Sequence, residues 1–210
     1  MKVFLRSLIF VFAAAGVAAA PLTRDLGGSL ALVRVHSLPA DLPAKDAGRK
    51  QPTVLDLRYV RADAEAAEAV AGWIKSHAGP HTPVFVLVNP QTDPALLAVL
   101  APRAALGNTL VIGVATRGFT PDIAVQTSAE DERRAYDALE NGATPAALLT
   151  ENPNKARNDE ASLSKDHSTD PDADEPPAAG AKDQPAAPPI DSALQRAVHL
   201  DRALVALRKL

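Results

Sequence analysis

Apolar positions along this chain follow two rhythms that alternate. Short, nearly continuous apolar runs occupy Ser29–Val35, Thr53–Val60, Val84–Val88 and Thr109–Val114, and Gly, Pro or Asn flanks them, as expected of buried strands. Between the runs the spacing becomes helical. Ala66, Val70, Trp73 and Ile74, with His77 on the same side, predict a helix capped by Asp63 and ended by Gly79-Pro80. Asp93 followed by Pro94 predicts a second helix, closed by Pro102 and Gly107. Asp93 can accept a backbone N–H bond there, and a proline at the first helical position leaves no donor unpaired. Asp122–Gln126 reads as a short strand. Thr127-Ser128-Ala129-Glu130 reads as a capping box that opens a helix through Leu139, which Asn141-Gly142 ends, and Ala143–Leu149 as further helical turns. Val84–Val88 is apolar at every position, which predicts a strand covered on both faces. Strands alternating with helices over residues 25–150 predict an α/β domain: a largely parallel sheet flanked by helices, with right-handed crossovers.

Both ends of the chain break this pattern. Residues 151–189 are rich in Asp, Glu, Lys, Ser, Ala and Pro and nearly devoid of large apolar side chains. Such a segment buries too little surface to offset its ordering entropy, which predicts a disordered linker. Helical spacing returns over 190–210, where Leu194, Val198, Leu200, Leu204, Val205 and Leu207 predict a C-terminal helix capped by Asp191. At the start, Lys2 and Arg6 precede an apolar stretch, Leu8–Ala15, too short to span a bilayer, and small residues follow to Ala20. Residues 1–20 are therefore expected to be a secretory signal, cleaved after Ala18 or Ala19, which predicts a periplasmic or secreted protein. No later segment is apolar enough to span a membrane.

Composition removes several function classes. There is no cysteine, hence no disulfide and no thiol chemistry. A net charge of -3 and 4% aromatic residues leave neither a basic footprint nor a stacking platform for nucleic acid. His36, His77, His81, His167 and His199 lack metal-ligand spacing, and no glycine-rich loop is built to cradle phosphate, so no cofactor is expected. Asp56 and Arg58 read as paired charges at a strand end. The acidic run Glu130-Asp131-Glu132 falls in the first turn of a helix, where the macrodipole favours it.

Four stretches taken together carry a resemblance. Leu55-Asp56-Leu57-Arg58; Pro83 through Asn89; Leu110-Val111-Ile112-Gly113 with Thr116 and Gly118; and Pro121-Asp122-Ile123 with the acidic helix after it resemble, in order and spacing, the core of the C-terminal processing, or tail-specific, serine proteases. The resemblance spans roughly Leu30 to Leu149, and the terminal helix is similar to that family's closing helix. It implies a ClpP/crotonase-like layered fold.

It also implies a missing site. In the family, an Asn- and Gly-rich turn after the first of these stretches helps form an oxyanion hole. Here Tyr59-Val60-Arg61-Ala62-Asp63 follows, with no glycine. The nucleophilic serine position falls on Pro94, which has neither hydroxyl nor N–H. The general-base lysine position falls on Phe119, and Arg117 nearby stays protonated. No lysine occurs between Lys75 and Lys155.

The expectation is an exported pseudoenzyme of the serine peptidase class with no catalytic residue. Its vestigial cleft would be lined by Asn89, Pro94, Thr116 and Phe119. It would bind a peptide or protein segment by strand addition, or assemble as a homo-oligomer. Two alternatives stand beside it. One is a hydrolase with a relocated nucleophile, Thr92 or Ser128, aided by His81 or His36. The other is a cell-envelope interaction protein that acts through its linker and terminal helix.

Overall fold

The computed structural model describes residues 21–44, 51–149 and 189–207. The expected signal at 1–20, and all but the last residue of the expected linker 151–189, lie outside them. Among the described residues, one sheet holds β1 (Leu22–Asp25), β2 (Ala31–Arg34), β3 (Thr53–Asp56), β4 (Val84–Val88), β5 (Thr109–Gly113) and β6 (Ile123–Ala124), side by side in chain order. β1 runs antiparallel to β2, and every later neighbour is parallel. The helices are α1 (Ala64–His77), α2 (Pro94–Leu100), α3 (Ala129–Glu140), α4 (Pro145–Leu148) and α5 (Ser192–Ala206). The molecule is thus α/β, with a mostly parallel sheet and helices on both faces.

The period of two along each strand sorts its side chains between two layers. Val33, Leu55, Val84, Val86, Val88 and Val111 face α1 and α2, which supply Val70, Trp73, Ile74, Leu96 and Leu100. Leu32, Val54, Phe85, Leu87 and Ile112 face the opposite way, onto Leu139 of α3, Leu148 of α4 and Ala193, Leu194, Ala197 and Val198 of α5. All five residues of β4 are buried, as its unbroken apolar run requires.

Several elements differ from the sequence reading. β1 starts at Leu22, ahead of the expected domain start. It is an edge strand with one half-buried and three exposed residues, so no apolar run announces it. The strand expected over Thr53–Val60 ends at Asp56, because the chain turns away where Tyr59 takes a left-handed backbone, φ 63. The short strand expected over Asp122–Gln126 is Ile123–Ala124. α2 is seven residues long, and the chain continues past Pro102 into a 3-10 turn, Arg103–Leu106, before Gly107.

The caps at Asp63, Asp93 and Asp191 form as read, accepting from the amides of Ala66, Ala95 and Leu194. The cap of α3 is Ser128 rather than Thr127, and its reciprocal partner is Asp131. Apolar burial along α5 is complete only as far as Val198; Leu200 and Leu204 are half-buried, and Val205 is 50% and Leu207 68% exposed, so the expected apolar face does not extend to the last two.

Candidate functional site

The carboxyl ends of the parallel strands carry the polar chemistry of the molecule. Register places Arg34, the last residue of β2, directly beside Asp56, the last of β3. Both side chains project to the face covered by α3 and α5, as does Arg58 two residues on. Arg34 Nε donates to Asp56 Oδ2 at 2.9 Å. Arg58 grips the same carboxylate with Nε at 2.9 Å and Nη2 at 2.8 Å. It also reaches Asp191 with two bonds, 3.0 and 2.8 Å. All four side chains are at most 1% exposed. Burial alone would raise the Asp56 carboxyl, but Arg58 and Arg34 overrule it and hold its pKa at about 2.

Three groups close the network. Arg34 stacks on Tyr136, 3.7 Å from the ring centroid, and shares Glu140 with His36, at 2.9 and 3.0 Å. Burial pushes the Tyr136 hydroxyl up to about 12. Buried Glu132 lies 4.0 Å from Arg58 and takes a 3.5 Å bond from Asn89 Nδ2, and its carboxyl is raised by burial. Most of their polar atoms are paired with one another, although Arg34 Nη2, His36 Nδ1 and Glu132 Oε1 are buried without a hydrogen-bond partner. Two buried arginines and two buried aspartates of matching charge form a tie between elements, with Asp191 anchoring the start of α5 to the end of β3.

Beside this network, on the layer of α2, lies an open cleft of about 630 Å³. Three loops that follow parallel strands build it. The loop after β3 gives Arg61, the turn from β4 into α2 gives Pro90, Gln91, Thr92 and Pro94, and the loop between β5 and β6 gives Thr116, Arg117, Gly118 and Phe119. Leu97, Ala98 and Ala101 of α2 complete the wall. Open α/β sheets place ligands at this end, where strands stop and loops begin. Gly113 at the end of β5 lets the strands close up there, since a Cβ would come within 2.0 Å of the Val88 carbonyl oxygen.

Of the residues expected to line a cleft, Pro94, Thr116 and Phe119 do so together. Asn89 does not. It is 1% exposed and works beneath the surface, its Oδ1 accepting from the amides of Gln91 at 3.1 Å and Tyr59 at 3.4 Å. This is a correction to its expected role: the side chain shapes the turns that frame the cleft and does not face a ligand. The turn after β3 forms without glycine. Tyr59 adopts the left-handed conformation that glycine favours, but its amide is spent on Asn89.

The hydroxyls and imidazoles considered as relocated catalytic groups are not brought together. Thr92 is 2% exposed, accepts from the Asn89 amide at 3.0 Å and donates to the Leu57 carbonyl at 3.1 Å, locking the turn. Ser128 caps α3. His81 lies before β4, at the opposite end of a strand about 13 Å long. His36 is engaged with Glu140. The cleft lining among the described residues contains no carboxylate, lysine, histidine or serine, and its charges are Arg61 and Arg117. Sequence reasoning passed over Arg61, Leu97 and Ala98 because no motif marks them. The signal that finds them is position, at the carboxyl ends of consecutive parallel strands.

Among the described residues no helix is long and apolar enough to cross a membrane, and no group of His, Cys, Asp and Glu side chains is placed to hold a metal ion. Comparison with protein-family models and with curated proteins gives no match for this chain.

Proposed function

We propose that this protein is an exported, non-catalytic relative of the tail-specific serine proteases, of ClpP/crotonase-like fold, whose cleft binds a peptide segment without cleaving it. One observation carries the reading. The two positions that the resemblance assigns to nucleophile and base, Pro94 and Phe119, are far apart in sequence yet line one cleft. The parallel pairing of β4 with β5 puts both positions at one end of the sheet, as the resemblance requires. In the relatives such a cleft would hold a Ser-Lys dyad. Here it holds a pyrrolidine ring and a phenyl ring beside Leu97 and Ala98, which is a surface for an apolar side chain. The turn that would present oxyanion donors gives its Tyr59 amide to Asn89, consistent with lost chemistry.

The experiment is to incubate the purified protein with a fluorophosphonate probe and, separately, with unstructured casein, while following binding of casein-derived peptides by anisotropy. The expected result is saturable peptide binding with neither stoichiometric labelling nor cleavage. Stoichiometric labelling at a single residue, or steady proteolysis abolished by one substitution there, contradicts the proposal.

A further inference from the structure

The charges at the cleft point to the kind of peptide it takes. Several surface arginines of this molecule are matched to a carboxylate: Arg103 to Asp122, Arg133 to Asp137 and Arg134 to Asp131. Arg61 and Arg117 are exposed, line the cleft, and among the described residues make no ion pair or hydrogen bond. They come from different loops, Arg61 after β3 and Arg117 after β5, with β4 between them. Two strand spacings separate those strands, about 10 Å. The rest of the lining is uncharged, with Pro94, Leu97, Ala98 and Phe119 as its apolar part beside Gln91, Thr92 and Thr116. Phe119 is buried, and Arg103 packs over its ring 4.8 Å from the centroid, which keeps the ring in place.

We infer that the cleft recognises an extended internal segment of acidic–apolar–acidic pattern. The inference rests on the peptide-binding reading above and gives it a substrate class. In an extended chain, alternate side chains point the same way and lie about 7 Å apart. A central apolar side chain directed onto the apolar wall therefore turns both flanking carboxylates outward. There, arginines standing on either side of the cleft reach them with their flexible stems. Arginine suits this task because its guanidinium stays charged and bonds a carboxylate through two N–H groups. A neutral segment would fill the same wall and leave both cations in water.

The test uses the intact protein and a fluorescent peptide, Gly-Glu-Leu-Glu-Gly, acetylated and amidated so that no chain terminus is charged. Anisotropy is compared with the Gln-Leu-Gln peptide, with and without a free terminal carboxylate. The acidic peptide is expected to bind at least tenfold more tightly than the capped neutral one. That advantage should vanish in the Arg61→Gln, Arg117→Gln double variant and shrink as salt is raised. Both side chains are exposed, so an unchanged melting temperature verifies that the variant folds. Equal binding of the capped acidic and neutral peptides overturns the inference and leaves the peptide cleft standing. Preference for the neutral peptide only when its terminus is free also overturns it, by moving recognition to a chain end. Absence of binding by every peptide overturns the inference and the underlying reading together.

Discussion

Arg58 lies between Asp56 and Asp191, with all three side chains out of contact with water. Removing the cation leaves Asp191 desolvated with no arginine and leaves Asp56 with Arg34 alone. Arg58→Met should therefore lower unfolding stability by about 3–5 kcal/mol in urea denaturation, the usual cost of breaking a buried pair on one side. Asp191→Asn, which keeps an acceptor at the cap of α5, should cost less. Acid has a predictable sign as well. The Asp56 carboxyl titrates at about 2 in the folded protein, well below its ordinary value of 3.8. Its stabilising contribution is complete above the unfolded value and is lost as pH falls through the folded one. Urea midpoints measured between about pH 5 and pH 2 should thus decline below about pH 4, with about 2 kcal/mol from this group, and less steeply in Asp56→Asn. The pairing of Asp56 with Arg58 is legible in the sequence because two opposite charges alternate in an apolar run. Arg34 and Asp191 are not legible as partners. One depends on strand register and the other on where a distant helix docks, and neither leaves a local mark.

At the scale of elements, α5 is a structural part of the sheet's second layer. Ala193, Leu194, Ala197 and Val198 are buried against Phe85, Leu87 and Ile112, and Asp191 fixes the helix start. Deleting Asp191–Leu210 should lower the melting temperature, and Leu194→Ala alone should cost about 2–5 kcal/mol. An unchanged melting temperature after deletion would mean that the helix serves a partner instead. The 3.6-residue apolar period of this helix was plain in the sequence, although it overstated how far burial extends. β1 was missed for the opposite reason: an exposed edge strand is held by backbone pairing to β2, and Thr23, Arg24 and Asp25 carry no apolar signal. Tyr59 illustrates a third limit. No glycine marks the turn after β3. The backbone there nevertheless enters the left-handed region, with the Tyr59 amide donating to the Asn89 side-chain Oδ1 and the Tyr59 ring in edge-on contact with Tyr136 at 4.8 Å.

For the molecule as a whole, alternation of apolar runs with helical spacing was enough to give the α/β class and the parallel sheet. The strand order adds what the sequence withheld. Because β3, β4 and β5 are neighbours, three loops distant in sequence meet at one end of the sheet. Part of the candidate site is legible beforehand: Pro94, Thr116 and Phe119 can be named from the sequence, whereas Arg61 and Leu97 join them only through topology. The central claim is that this cleft binds peptide and performs no hydrolysis. One titration reads both at once. Peptide is added to isotopically labelled protein, amide shifts are followed by NMR, and the peptide's own resonances are watched for breakdown. The account predicts saturable shifts confined to Arg61, the turn from Pro90 to Ala98 and the loop from Thr116 to Phe119, with the peptide intact throughout. Saturable shifts elsewhere, no shifts at all, or the appearance of cleaved peptide would contradict it.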